Sequence, residues 1–238
     1  MKFCPGCGRK IPDRTDPARR STSVMWNDIK RIILFYFLIL VCMAPAAWFK
    51  NDIGIWAEVS FYIGFFILII IFRVLTGVRI IPLLSLNKQH KNRKRLVGYM
   101  ALIFPLLCLN LLWVYLILKL IGIDISDLPK EVLEPDYGML WAVIGTCVLP
   151  ALLEETAFRG IIQTTLRRAL GPRDAIIITS IMFEIIHLRI ILFPFLLTSV
   201  YLSILRHKFN SLLPGIITHF TYNLMVVLVF LLLRNTIS

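Results

Sequence analysis

Three short stretches of this chain carry residue types that can do chemistry. Glu154-Glu155-Thr156-Ala157-Phe158-Arg159 sets two adjacent carboxylates and a guanidinium at the end of a long apolar run that begins near Gly138. Phe183 and His187 lie on a later apolar segment, and His219 and Asn223 on another. A charge in or near hydrocarbon costs ~2.5–3.5 kcal/mol on insertion scales and more on others, so a charge cluster in a greasy segment needs a reason. A carboxylate in such surroundings can serve as a general base. The cluster is read as half of a catalytic site inside the membrane, with His187, His219 and Asn223 as the other half.

Spacing divides the roles. Glu155 and Arg159 are separated by i, i+4, so they share a helix face and pair. Glu154 is rotated from Glu155 by ~100° and has no local partner. A carboxylate without a partner in apolar surroundings is driven toward the neutral range that suits a general base. His219 and Asn223 are also i, i+4 and face one way. Phe183 and His187 share that spacing, which places the phenyl ring beside the imidazole. Each feature has a blander reading: an interfacial charge cluster, a core histidine bonded to a carbonyl, and polar contacts between helices worth ~0.6 kcal/mol each. Their joint occurrence weighs against all three.

The elements that must position these residues are membrane helices. The chain is 58% hydrophobic with mean hydropathy +0.79, against ~45–50% apolar for a soluble domain. Apolar segments are read over 31–49, 53–72, 96–118, 138–158 or beyond, 175–188, 190–205 and 211–233. Backbone in lipid must satisfy its own hydrogen bonds, so the expected fold is all-α: a polytopic bundle of seven to eight helices. The fourth helix is predicted to continue past Arg159, because helix formers run to Leu170 and Gly171-Pro172 supplies a stop. Glu154, His187, His219 and Asn223 then lie ~21, ~18, ~12 and ~18 Å from the cytoplasmic ends of their helices, at ~1.5 Å per residue. Those depths are compatible with one layer once tilt is allowed.

The formal net charge of +12 does not point to nucleic acid, because the basic residues cluster between apolar runs. The N-terminal arm and the loops carrying Arg93–Arg95, Arg167–Arg173 and Arg206–Lys208 fall on one side if every segment crosses once. The positive-inside rule then puts the N-terminus in the cytoplasm. The chain divides into a basic arm (1–29), two helices with a basic loop (30–95) and a core (96–238). Glu58 is expected at the interface, Asn110 in an interhelical hydrogen bond, and Cys42, Cys108 and Cys147 as small core residues. Glu184 has no assigned role, with Arg189 as a candidate partner.

The arm opens with Cys4-Pro5-Gly6-Cys7-Gly8, a knuckle whose glycines permit two thiolates to turn toward one tetrahedral metal. It resembles half of a zinc ribbon. A complete site needs four ligands and no second cysteine pair follows. Structural zinc at Cys4 and Cys7 shared with a second chain, a metal-free knuckle and a redox pair all remain open. The first would make the arm a point of self-association or partner docking.

Glu-Glu-x-x-x-Arg (154–159), Phe-x-x-x-His (183–187) and His-x-x-x-Asn (219–223), in this order, resemble the motifs of the CPBP family of intramembrane proteases. That family includes the type II CAAX prenyl endopeptidase. The flanking phrases LEETAFRG, SIMFEIIHL and NSLLPGIITHFTYN are similar too, and the resemblance covers about residues 96–234. It implies that Glu154 and His187 activate water, that His219 and Asn223 donate to the oxyanion, and that Glu155 and Arg159 support them. It implies no catalytic cofactor, and a substrate that is a peptide or protein at the membrane. The alternatives are a non-catalytic scaffold or bacteriocin-immunity-type protein on the same fold, and a zinc metalloprotease using Glu154, His187 and His219. The latter lacks a His-Glu-x-x-His motif.

Overall fold

The computed structural model describes residues 2–3, 10–11, 22–48, 55–85, 93–122, 138–187 and 192–237. The bundle is built from α1 (Thr22–Trp48), α2 (Ile55–Thr76), α3 (Arg93–Ala101), α4 (Ile103–Ile121), α5 (Gly138–Leu170), α6 (Pro172–Ile186), α7 (Leu192–Phe209) and α8 (Leu213–Ile237). Helices α3 and α4 are parted only by Leu102, so the seven apolar segments of the sequence reappear as seven helical stretches. A two-residue antiparallel ladder, β1 (Lys2–Phe3) with β2 (Lys10–Ile11), flanks the Cys-x-x-Cys motif. Cys4 and Cys7 themselves lie outside the described residues.

Among the described residues, three helical stretches are long and apolar enough to cross a membrane: Ile55–Thr76, Lys94–Leu120 and Gly138–Leu170. Their outer faces are apolar as well. Ile63, Phe66, Ile70 and Val74 on α2 are exposed, as are Ile33 and Phe37 on α1. In water such faces would not survive; facing lipid they cost nothing.

The inner faces follow helical periodicity. Ile32, Phe35 and Ile39 of α1 are buried against Phe65, Ile69 and Phe72 of α2, with Phe35 stacked on Phe72 at 4.6 Å. Phe158, Ile161 and Ile162 of α5 and Phe183 and Ile186 of α6 complete this core. Tyr36 donates to the Met182 carbonyl at 2.9 Å, tying α1 to α6.

Helix α5 is not uniformly α-helical. It widens into π-helix over Ile144–Val148 and again over Glu155–Ile162. Pro150 explains the first widening. Proline has no N–H to give the carbonyl four residues back and its ring crowds that carbonyl. A π-turn relieves the clash at the cost of leaving nearby carbonyls without helix donors. Those carbonyls are taken by other helices: Tyr62 donates to the Gly145 oxygen at 2.6 Å and Asn223 to the Thr146 oxygen at 2.9 Å. The helix runs to Leu170 and ends where Gly171 adopts φ of 96°, a conformation that favours glycine. Pro172 then opens α6.

Helix α1 starts at Thr22, within the stretch read as the basic arm, with Asp28 buried and paired to Arg31 at 3.7 Å. Charged residues in the first turns masked this start in the hydropathy pattern. Cys147 is buried and Cys42 partly so, but Cys108 is exposed on the outer face of α4 rather than in the core. Asn110 does bridge helices, donating to Thr198 Oγ1 at 2.9 Å and to the Tyr222 hydroxyl at 2.8 Å.

Candidate active site

The predicted site residues meet at one cavity of about 540 Å³, walled by α2, α4, α5, α6, α7 and α8. Glu154, Phe183, His187, His219 and Asn223 all line it. Ligand sites typically occupy ~300–1,000 Å³, so the space is adequate for a segment of bound substrate.

The two glutamates are separated in function by their surroundings. Glu155 is fully buried, and its Oε1 sits 3.0 Å from Arg159 Nη1, also fully buried. The same Oε1 is 3.1 Å from His219 Nδ1. A carboxylate only accepts, so Nδ1 carries the proton. Glu154 stands at the cavity wall with its Oε2 free of hydrogen-bond partners and 3.9 Å from His219 Nε2. His219 therefore spans the glutamate pair, bonded to one and facing the other. This link was not apparent in the sequence, where 64 positions separate the partners.

Arg159 is held on its other side by Ser199, with Nη2 2.9 Å from Oγ and 3.2 Å from the carbonyl oxygen. Its guanidinium carbon lies 4.2 Å from the Phe183 ring centroid, a cation–π placement. Phe183 is the junction of the site. Its ring is 4.7 Å from that of His187, 6.0 Å from that of His219 and 5.1 Å from that of Phe158.

His187 is not inside a helix but caps the C-terminus of α6. Its Nδ1 is 2.7 Å from the Phe183 carbonyl oxygen, which can only accept, so Nδ1 is the protonated nitrogen and Nε2 keeps a lone pair. The core-histidine reading and the active-site reading are thus both half right: one nitrogen is bonded to backbone and the ring lines the cavity. Asn223 uses one amide proton on the Thr146 oxygen and retains a second.

Gly215 fixes how closely α8 approaches. A Cβ built there would lie 2.9 Å from Glu155 Oε2, and that carboxylate is already clamped by Arg159 and His219. Gly215→Ala is expected to push Glu155 off its two partners and lower kcat/KM by about tenfold, an order set by the loss of ~1–2 kcal/mol of charge-assisted hydrogen bonding. Steady-state kinetics beside a thermal melt would check it, with activity falling more than stability.

Several cavity residues escaped the sequence reading. Glu58 is not merely interfacial: it lines the cavity and its Oε2 accepts from Trp141 Nε1 at 3.0 Å. Tyr62, Tyr222 and Glu184 also line it. The available signal was polarity on otherwise apolar helices, and for Tyr62 the carbonyl loosened near Pro150. Arg189, the partner suggested for Glu184, lies outside the described residues. Among the described residues no group of three or more His, Cys, Asp or Glu is placed to hold a metal ion. The set Glu154, His187 and His219 is not gathered into such a group.

The bundle is all-helical, with Glu154, His187, His219 and Asn223 on one interior cavity and Glu155 buried behind His219. Residues 136–225, which hold every residue of that set, match the family described as type II CAAX prenyl endopeptidase, Rce1-like. Over this segment the chain is similar to that family of CAAX-type proteases, which supports a protease of the CPBP kind, and the apolar helices suggest a membrane protein. No curated protein and no solved structure matches the chain.

Proposed function

We propose that the protein is a metal-independent, glutamate-type intramembrane endopeptidase. Its substrate would be a peptide bond near the terminus of a membrane-anchored or lipidated chain. The observation that carries this reading is the arrangement around His219: a clamped Glu155 behind it, an uncommitted Glu154 in front of it, and His187 and Asn223 on the same cavity.

The roles follow from which atoms remain free. Glu154 and His187 Nε2 are both acceptors, so a water between them gives each a hydrogen and turns a lone pair to the substrate carbonyl. As the water attacks, Glu154 takes its proton and later returns one to the leaving amine. The carbonyl oxygen becomes an oxyanion, for which Asn223 has an unspent amide proton. His219 would donate there from Nε2 when both of its ring nitrogens carry a proton. Donors fixed in advance at such a position contribute most where water is excluded. Arg159, Glu155 and Phe183 position the histidines. The N-terminus lies in the cytoplasm in this scheme, and a zinc at Cys4 and Cys7 would serve the arm rather than catalysis.

The test uses the full chain, purified and reconstituted, with lipid-anchored peptides as substrates and mass spectrometry to locate the cut. A Glu154→Gln/His187→Ala double variant should be inactive at equal folding. Cleavage at the wild-type rate by that variant would overturn the reading. If the double variant instead restored full function to cells lacking the gene, a scaffold or immunity role would replace it.

A further inference from the structure

The hydrogen-bonding balance of the cavity is lopsided. Its walls hold three carboxylates, Glu58, Glu154 and Glu184, and neither lysine nor arginine is among the lining residues. Asn223 keeps one amide proton, but several other donors on those walls are committed. Tyr62 gives its proton to the Gly145 carbonyl, Asn110 gives both amide protons to Thr198 and Tyr222, and His187 Nδ1 is spent on the Phe183 carbonyl. Acceptors are left over: Glu154 Oε2 and Asn110 Oδ1 have no donor.

Glu184 is the sharpest case. It is only 6% exposed, yet it lines the cavity and makes no hydrogen bond or ion pair with any described residue. The charge of Arg159 acts on it at a distance, but that guanidinium is bonded to Glu155 and Ser199. Glu184 also sits one helical turn before His187, whose backbone N–H donates to the Glu184 carbonyl at 3.0 Å. A group bound to the Glu184 side chain would lie about one turn, ~5 Å, from the His187 position along α6. A buried carboxylate without a hydrogen bond to any described residue, on a cavity wall that holds two further carboxylates and neither lysine nor arginine, is complementary to a cation that brings its own N–H groups.

We propose that Glu184 is a substrate-contacting specificity residue and that the cavity selects peptides carrying a lysine or arginine side chain close to the scissile bond. This rests on the endopeptidase reading and adds the substrate class. The cation would enter with its aliphatic stem along the apolar wall and its charged head on Glu184. Acidic side chains at the same position would be rejected by the carboxylates around them.

The experiment presents the reconstituted full-length protein with lipid-anchored peptides that carry Lys, Arg, norleucine or Glu at each position within three residues of the cut. At one position Lys and Arg should exceed norleucine at least tenfold in kcat/KM, and Glu should be the poorest. Glu184→Gln should lower that Lys-to-norleucine ratio at least tenfold, while Glu184→Asp should keep most of it. Norleucine equal to or better than Lys at every position would overturn the proposal. So would a ratio unmoved by Glu184→Gln, which would leave Glu184 with a structural role alone. Binding separates this outcome from failure of the protease reading. If wild type and Glu154→Gln alike cut nothing, the endopeptidase assignment fails. The Kd of the Lys and norleucine peptides for Glu154→Gln protein then decides the charge preference without any cleavage.

Discussion

Glu154→Gln is expected to reduce kcat/KM by ~10²–10⁴, the usual worth of a positioned general base, with the melting temperature unchanged. The asymmetry is the informative part. Glutamine preserves the size of the side chain and its acceptor oxygen but cannot take a proton at neutral pH. The carboxylate it replaces has an oxygen with no hydrogen-bond partner, so little folding energy is lost with it. Most changes at buried polar groups cost stability; this one should cost turnover. His187→Ala should fall in the same range, and the two together should cost little more than either alone, because both act on one water. Rates under single-turnover conditions, read beside thermal melts, check this. Fully additive losses would mean that the two side chains work on separate steps.

The second large effect is on folding. Arg159 and Glu155 are each fully buried and bonded to each other, so removing one strands the other. Arg159→Met should destabilise the protein by ~3–5 kcal/mol, the range for leaving one member of a buried pair unmatched. That corresponds to a drop of ~6–20 °C in melting temperature for a chain of this size. Glu155→Leu/Arg159→Met should recover much of the loss, since exchanging a whole buried pair for apolar groups is often neutral or better. The recovered protein should still be inactive, because His219 has lost the carboxylate that holds its Nδ1. Stability returning without activity separates the two duties of Glu155. If activity returned as well, Glu155 would not be needed to orient His219.

How much of this was legible beforehand depended on the range of the interaction. Pairs one helical turn apart were readable: Glu155 with Arg159, Phe183 against His187, and the exposure of Glu154 to a different face. The end of α5 was readable too, because Gly171-Pro172 is a local signal. The contact between His219 and Glu155 was not, since spacing within one helix says nothing about which carboxylate on another helix an imidazole will meet. The widened turns of α5 were missed because a uniform period was assumed, although Pro150 announced a carbonyl at Thr146 without a helix donor. Glu58 looked interfacial from its place near the start of α2. Its bond to Trp141 required knowing that α2 and α5 are neighbours.

The short 3₁₀ turn Ile81–Leu84 between α2 and α3 bears on where the working unit ends. The Leu83 carbonyl accepts from the Leu212 N–H at 2.6 Å and from Ser211 Oγ at 3.1 Å, anchoring the residues from which the His219 helix departs. Ile80 packs beside Leu212 and Gly160. Tyr62 and Arg168 stitch α2 to α5 at opposite ends, through Gly145 and Thr76. The segment that carries the family signature is therefore not an autonomous module. The geometry of the cavity is completed from outside by the preceding chain, which works as a brace.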